Sequence, residues 1–168
     1  MDSLFAISGH LNRTLFSNDC LKALEEARHA ARLGGWDNLR TPHLFIGILL
    51  QADQTIKLWA EYSKIDVRNL GEQLRLMFKE SDRPRADAPP LHREFCSNGV
   101  IKMLQGSLER MRSQNRTIIH SSDIAVMVLS DVESVVYQTL KESGMNCRDL
   151  YTLLETAERD QNSSTSLA

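Results

Sequence analysis

His43 is the residue of this chain best placed to do chemistry. It stands in "RTPHLFIGILL" (40–50), just inside an apolar run, where an imidazole can act as acid, base or metal ligand. A base needs a nucleophile to activate, and a zinc site needs about four ligands at close spacing. His29 is the nearest other histidine, but no cysteine or acidic residue completes a metal set with the two at a known spacing. The cysteines Cys20, Cys96 and Cys147 are odd in number and form no CxxC pair, which fits a reducing compartment and argues against a disulfide framework. Cys20 and Cys147 fall on apolar faces without a basic cluster to lower a thiol pKa, so they read as packing residues; Cys96, near a linker, is expected to be more exposed. With no nucleophile–base pair visible, an all-helical hydrolase is disfavoured. The expectation is a non-enzyme without cofactor or metal, in which His43 bonds its own loop or helix end.

The bulk numbers leave that expectation intact. At 168 residues, 42% apolar and 25% charged, the chain can build one sizeable core. Its net charge of −2 leaves no basic footprint for nucleic acid. No apolar stretch is long enough to cross a bilayer. The opening "MDSLFAISGHLNRT" lacks a basic segment followed by a long apolar one, so a cytoplasmic location is expected.

The elements that must position His43 are helices. Cys20, Leu21, Leu24, Ala27 and Ala31 line one face of a helix over about 17–33, and Val100, Ile101, Leu104, Leu108 and Met111 one over about 97–113. No hairpin dipeptide sits between alternating apolar runs. Pro84, Pro89 and Pro90 cluster in "SDRPRADAPPLHRE", which reads as an extended linker. Shifting the sequence by 80 positions lays 17–74 over 97–154 without a gap: "SNDCLKAL" over "SNGVIKML", Leu44 over Ile124, Leu70 over Leu150. The chain is an internal duplication. Each copy predicts a long helix, a buried apolar helix, a short amphipathic helix and a closing helix. Thr41 is expected to cap the apolar helix of the first copy, with Pro42 at its first position; Ser121 or Ser122 caps that of the second, with Asp123 favourable at the dipole's positive end. Asp66 and Asn146 are candidate caps of the closing helices.

A paired long helix, then T-x-H-L-apolar-G-apolar-L-L with Gly47 at its centre, then a short helix and a D-x-x-x-L closing helix resembles the Clp N-terminal domain. That module stands at the front of Hsp100-type AAA+ unfoldases. The resemblance rests on "CLKALEEARHAARLGGWDNLRTPHLFIGILLQAD" (20–53), "IDVRNLGEQL" (65–74) and their copies, and covers about 14–156. It implies an all-α fold of two pseudo-symmetric four-helix repeats packed as one domain over 1–168: repeat 1 at about 14–79, linker 80–94, repeat 2 at about 95–158, and a polar tail 159–168. It also implies a protein-binding module, monomeric when isolated, that receives substrates or adaptor proteins for a Clp ATPase or protease complex. The alternative is a structural accessory that docks on a protease core or secretion-associated complex without handling substrate. In some members an acidic residue after the motif threonine reads phosphoarginine; here Pro42 and Ser122 hold those places and neither supplies a carboxylate. No G-x-x-x-x-G-K-[ST] occurs, so the expectation is either a free-standing N-domain or one excised from a longer subunit.

For the partner surface, family members take a peptide or amphipathic helix into a groove near the first helix. This brings in the apolar arm "LFAISGHLNRTLF", with Leu4, Phe5, Leu11 and Phe16. The arm either packs back on the domain or forms part of a groove. Trp36, in the loop after the first helix, joins these as a candidate contact, whereas Trp59 is expected in the core. The second copy departs furthest from the pattern, which predicts unequal half-sites.

Overall fold

The computed structural model describes residues 3–167, and the side chains of 3–164. It holds eight helices among the described residues: α1 Asn18–Leu33, α2 Thr41–Leu50, α3 Gln54–Ser63, α4 Val67–Met77, α5 Asn98–Ser113, α6 Ser121–Ser130, α7 Val135–Glu142 and α8 Cys147–Leu167. A short 3₁₀ turn precedes each long helix, at Arg13–Leu15 and Arg93–Phe95. The bounds of α1, α2 and the first 3₁₀ turn recur 80 residues later, so the duplication read from sequence is the architecture of the molecule.

Local chemistry explains where the helices begin. Ser17 and Ser97 accept the Cys20 and Val100 N–H groups at 3.0 and 3.2 Å, and Asp53 and Ser134 do the same for α3 and α7. Asp66 and Asn146 cap α4 and α8 as expected, taking the Asn69 and Asp149 N–H groups at 3.1 Å. Lys64, with φ of 56°, ends α3 in the left-handed region.

The starts of α2 and α6 correct the sequence reading. Thr41, Ser121 and Ser122 are not caps; they are already helical, and Pro42 takes the second helical position. The third residue reaches back instead. His43 Nδ1 accepts the Arg40 N–H at 2.9 Å, and Asp123 Oδ2 accepts the His120 N–H at 2.8 Å. This is the reaching-back half of a capping box, with His or Asp in the role of the usual Glu. Freed from capping, Thr41 and Ser121 face the opposite repeat. Thr41 Oγ1 lies 2.9 Å from where a Cβ on Gly99 would stand, and Ser121 stands beside Cys20.

The two copies clasp each other at the same place. The Leu39 N–H bonds Phe95 O and the Ser97 N–H bonds Leu39 O; one register step on, the Ile119 N–H bonds Leu15 O and the Ser17 N–H bonds Ile119 O. Each long helix is therefore launched from the loop before the other copy's apolar helix. Helices α2 and α6 sit at the centre, and residues of both repeats form a common core. Trp59 is fully buried there, its Nε1 donating to Leu150 O across the repeat boundary at 2.9 Å.

The N-terminal arm takes the first of its two expected courses. Leu4, Phe5, Leu11 and Phe16 are core residues, 4–7% exposed, and so present no surface to a partner in this conformation. The Leu11 and Arg93 N–H groups bond Leu91 O and Gly9 O, and Arg93 stacks on the Phe5 ring at 5.1 Å. Burial of so much apolar area outweighs the cost of ordering the arm, at about 1.5–3 kcal/mol for each fully buried large side chain. The linker is pinned as well: Arg28 donates to Pro89 O and Arg85 to Gly35 O, holding it along the end of α1. Beyond 158 the expected polar tail continues as helix, since α8 contains no Gly or Pro to stop it, and the Tyr62 hydroxyl donates to Asp160. No described helix is long and apolar enough to cross a membrane.

Candidate functional site

The starts of α1, α3 and α6 converge with the ends of α5 and α8 on a cleft of about 590 Å³. Its floor is an ion network. Asp123, fully buried, receives Arg110 Nη1 at 2.6 Å and both Nη atoms of Arg116. Arg110 is also held by Glu158 in a two-pronged pair, at 2.6 and 2.9 Å, and the Ser122 hydroxyl donates to the same carboxylate at 2.8 Å. Burial works against the charge on Arg110, but Glu158 and then Asp123 outweigh it and hold the guanidinium above its ordinary pKa. The network is satisfied internally and acts as a rigid floor. The walls carry Asp19, Asp53 and Glu155. Burial raises the Asp53 pKa, opposed by the Ile56 N–H it accepts, and the Asp19 charge adds to the rise.

The equivalent place in the first repeat is built from other chemistry. Eighty residues earlier, Ala30, Trp36, Arg40, His43 and Phe78 stand for Arg110, Arg116, His120, Asp123 and Glu158. Trp36 fills the space: its Nε1 donates to Phe78 O at 3.0 Å, its ring meets His43 edge-on, and the Arg40 guanidinium covers it at 4.7 Å. The duplication thus has one aromatic plug and one open, charged cleft.

Among the residues singled out from sequence, Trp36 alone of the five candidate contacts is not fully buried, and it too packs partly against the core. Ser122 and Asp123 belong to the cleft floor. Thr41, Pro42, His43 and Gly47 stand in the first repeat and build α2. Sequence reasoning did not single out Arg110, Arg116 or Glu158. The signal was present, because each puts a charge at the register position of Ala30, Trp36 or Phe78 in the first copy.

His43 is enclosed at the start of α2. It is 1% exposed, accepts the Arg40 N–H through Nδ1, and has no partner at Nε2 among the described residues. Burial, reinforced by Arg40, lowers its pKa from 6.5 to about 4. Unfolding restores the ordinary value, so the stability held by neutral His43 is fully present above about pH 6.5 and is lost as the pH falls towards 4. Each pH unit in that window costs about 1.4 kcal/mol at most. The expected result is that the gap between the urea midpoints of the wild type and His43→Gln is constant above about pH 6.5 and shrinks steadily from there to about pH 4.5; an unchanged gap across that window would contradict it. The cysteines are equally unsuited to catalysis, since burial pushes Cys20 to about 12 and Cys96 to about 11.

Neither a protein-family model nor a curated protein sequence matches the chain. Solved structures do. The N-terminal domain of the caseinolytic-protease-associated chaperone ClpD from Arabidopsis thaliana superposes with a TM-score of 0.66 at 20% identity, covering 86% of this chain and 97% of that one. The Hsp104 N-terminal domain from Candida albicans follows at 0.64 and 15%, covering 83% and 88%. The N-domain of ClpV from Vibrio cholerae gives 0.62 and 15%, covering 84% and 86%. The chain has the Clp N-terminal domain fold.

Proposed function

We propose that this chain is a protein-binding module that receives substrates or adaptor proteins for a Clp/Hsp100-type AAA+ unfoldase or protease, as its N-domain or as a free-standing adaptor. The observation that carries this reading is the fold likeness, which takes in 97% of the ClpD N-domain chain. The local chemistry supports binding over catalysis. The buried thiols are held protonated, the central histidine has its basicity suppressed, and the charged cleft is a preformed concave surface. Of its wall groups, Asp19, Asp53 and Glu155 suit the basic side chains of a polypeptide, while Arg110 and Arg116 are committed to Asp123 and Glu158 and Arg159 reaches the Thr156 hydroxyl. Trp36, partly buried under Arg40, is the candidate contact on the first repeat.

The test is direct binding of the purified 168-residue chain to a permanently unfolded model client and, separately, to a Clp ATPase ring. Saturable binding of either supports the module, and the client arm is expected to weaken in Asp19→Lys with Glu155→Lys. Binding to the ring without any client would favour a docked accessory. Failure of both arms would remove the reading and leave the fold.

A further inference from the structure

The second repeat carries another consequence of its divergence, on the opposite end of the α5–α6 pair. In the first repeat α1 presents Ala23, Ala27, Ala30 and Ala31, and α2 presents Gly47. A Cβ on Gly47 would stand 2.2 Å from Ala23 O, so the two backbones touch. Eighty residues on, Met103, Ser107, Arg110 and Met111 replace the alanines, and Met127 replaces Gly47. No methionine can occupy the space that Gly47 leaves, so α5 and α6 pack less closely than α1 and α2.

The separation opens a groove of about 450 Å³ lined by Met103, Gly106 and Met127. Gly106 keeps it open: a Cβ there would stand 2.5 Å from Met127 Sδ. Val132 and Val135, each more than half exposed, extend the apolar surface beyond Asp131. The rim is charged, with Lys102, Glu109 and Asp131 on it. Two carboxylates against one ammonium, at the C-terminal end of α6 where the helix dipole is negative, favour a cationic partner. Methionines suit a groove that must accept an apolar side chain without fixing its shape.

We propose that this α5–α6 groove docks an amphipathic segment of a partner protein, with an apolar anchor seated on Met127 and lysine or arginine flanking it along the Glu109–Asp131 rim. The proposal rests on the protein-binding reading and assigns it a surface distinct from the ion-floored cleft.

The probe is a synthetic amphipathic helical peptide with leucines on one face and lysines on the other, titrated into the chain carrying ¹³C-methyl methionine. The expected result is a saturable shift of the Met127 methyl, with Met145 unmoved. A twin peptide bearing glutamates in place of the lysines should bind about tenfold more weakly, as should the lysine peptide to Glu109→Lys with Asp131→Lys. Gly106→Leu fills the groove and should abolish the shift; its far-UV circular dichroism and urea midpoint check the fold, and the rim variant tests the surface without touching packing. Equal binding of the two peptides, or shifts confined to methyls outside the groove, would overturn the proposal. If model clients bind the chain while Met127 stays silent to the lysine peptide, the groove is wrong and the protein-binding reading stands.

Discussion

Replacing Gly47 by alanine will destabilise the domain by about 3 kcal/mol, a large share of the 5–15 kcal/mol that folded domains of this kind possess. On helix propensity alone the change should help, since alanine gains about 1 kcal/mol over glycine inside a helix. Packing decides otherwise. The new Cβ would lie 2.2 Å from Ala23 O and 2.9 Å from Ala27 N, both backbone atoms of α1 that no rotamer change can move. Relief requires α1 and α2 to separate, which loosens Leu24, Leu44 and Ile48 in the core between them. Gly106→Ala is the control. Its Cβ meets only the end of the Met127 side chain, which can swing aside, so the expected cost is under about 1 kcal/mol. Urea midpoints measured for both variants should differ in this order. Equal effects would mean that the close α1–α2 crossing does not hold the first repeat together.

Most of the fold was legible in the periodicity of the apolar residues. The gapless register located the helices because apolar residues at helical spacing survive divergence when each contributes burial in both copies. Asp66 and Asn146 were readable as caps because a short polar side chain before an apolar run has few other uses there. Thr41 and Ser121 misled for the same reason. A hydroxyl just before a helix caps first-turn N–H groups, whereas the third helical residue, here His43 or Asp123, reaches back to the N–H of the residue before the helix, and the same run of residue types can serve either arrangement. The apolar arm announced burial without saying against what, because its partners Leu91 and Arg93 lie some eighty residues on. The polar 159–167 segment hid its helix, since polarity reports exposure and not backbone conformation.

The cleft was the least legible part. Arg110 and Glu158 are 48 residues apart, and each alone reads as an ordinary surface charge on its helix. Only the pseudo-symmetric closure, which drives the end of α8 against the starts of α6 and α3, brings them together over Asp123. At the equivalent positions of the first copy, Ala30, His43, Phe78 and Trp36 solve the same packing problem with little charge. The second copy carries an open polar surface there, and a binding role would account for so costly a network.

That cost can be measured at Arg110. Its side chain is 11% exposed, and it neutralises Asp123, at 0%, together with Glu158, at 16%. Arg110→Ala leaves Asp123 with Arg116 alone and Glu158 with only the Ser122 hydroxyl, and removing one partner of a buried network typically costs about 3–5 kcal/mol. Removing Arg110 and Glu158 together is expected to cost less than removing Arg110 alone. In Arg110→Met with Glu158→Leu, Asp123 keeps both Nη bonds from Arg116 and its cap on the His120 N–H, so no buried charge is left unpaired. The new apolar side chains resemble the solution already present at Ala30 and Phe78. The double variant should therefore recover at least about half of the stability lost by Arg110→Met alone, which a double-mutant cycle in urea over Arg110→Met, Glu158→Leu and the pair would read directly. Client binding should move the other way, weakening in the double variant because the cleft loses its rigid charged floor. If stability followed the simple sum of the two substitutions, Arg110 and Glu158 would be independent surface charges, and the cleft would have no fixed floor on which to seat a partner.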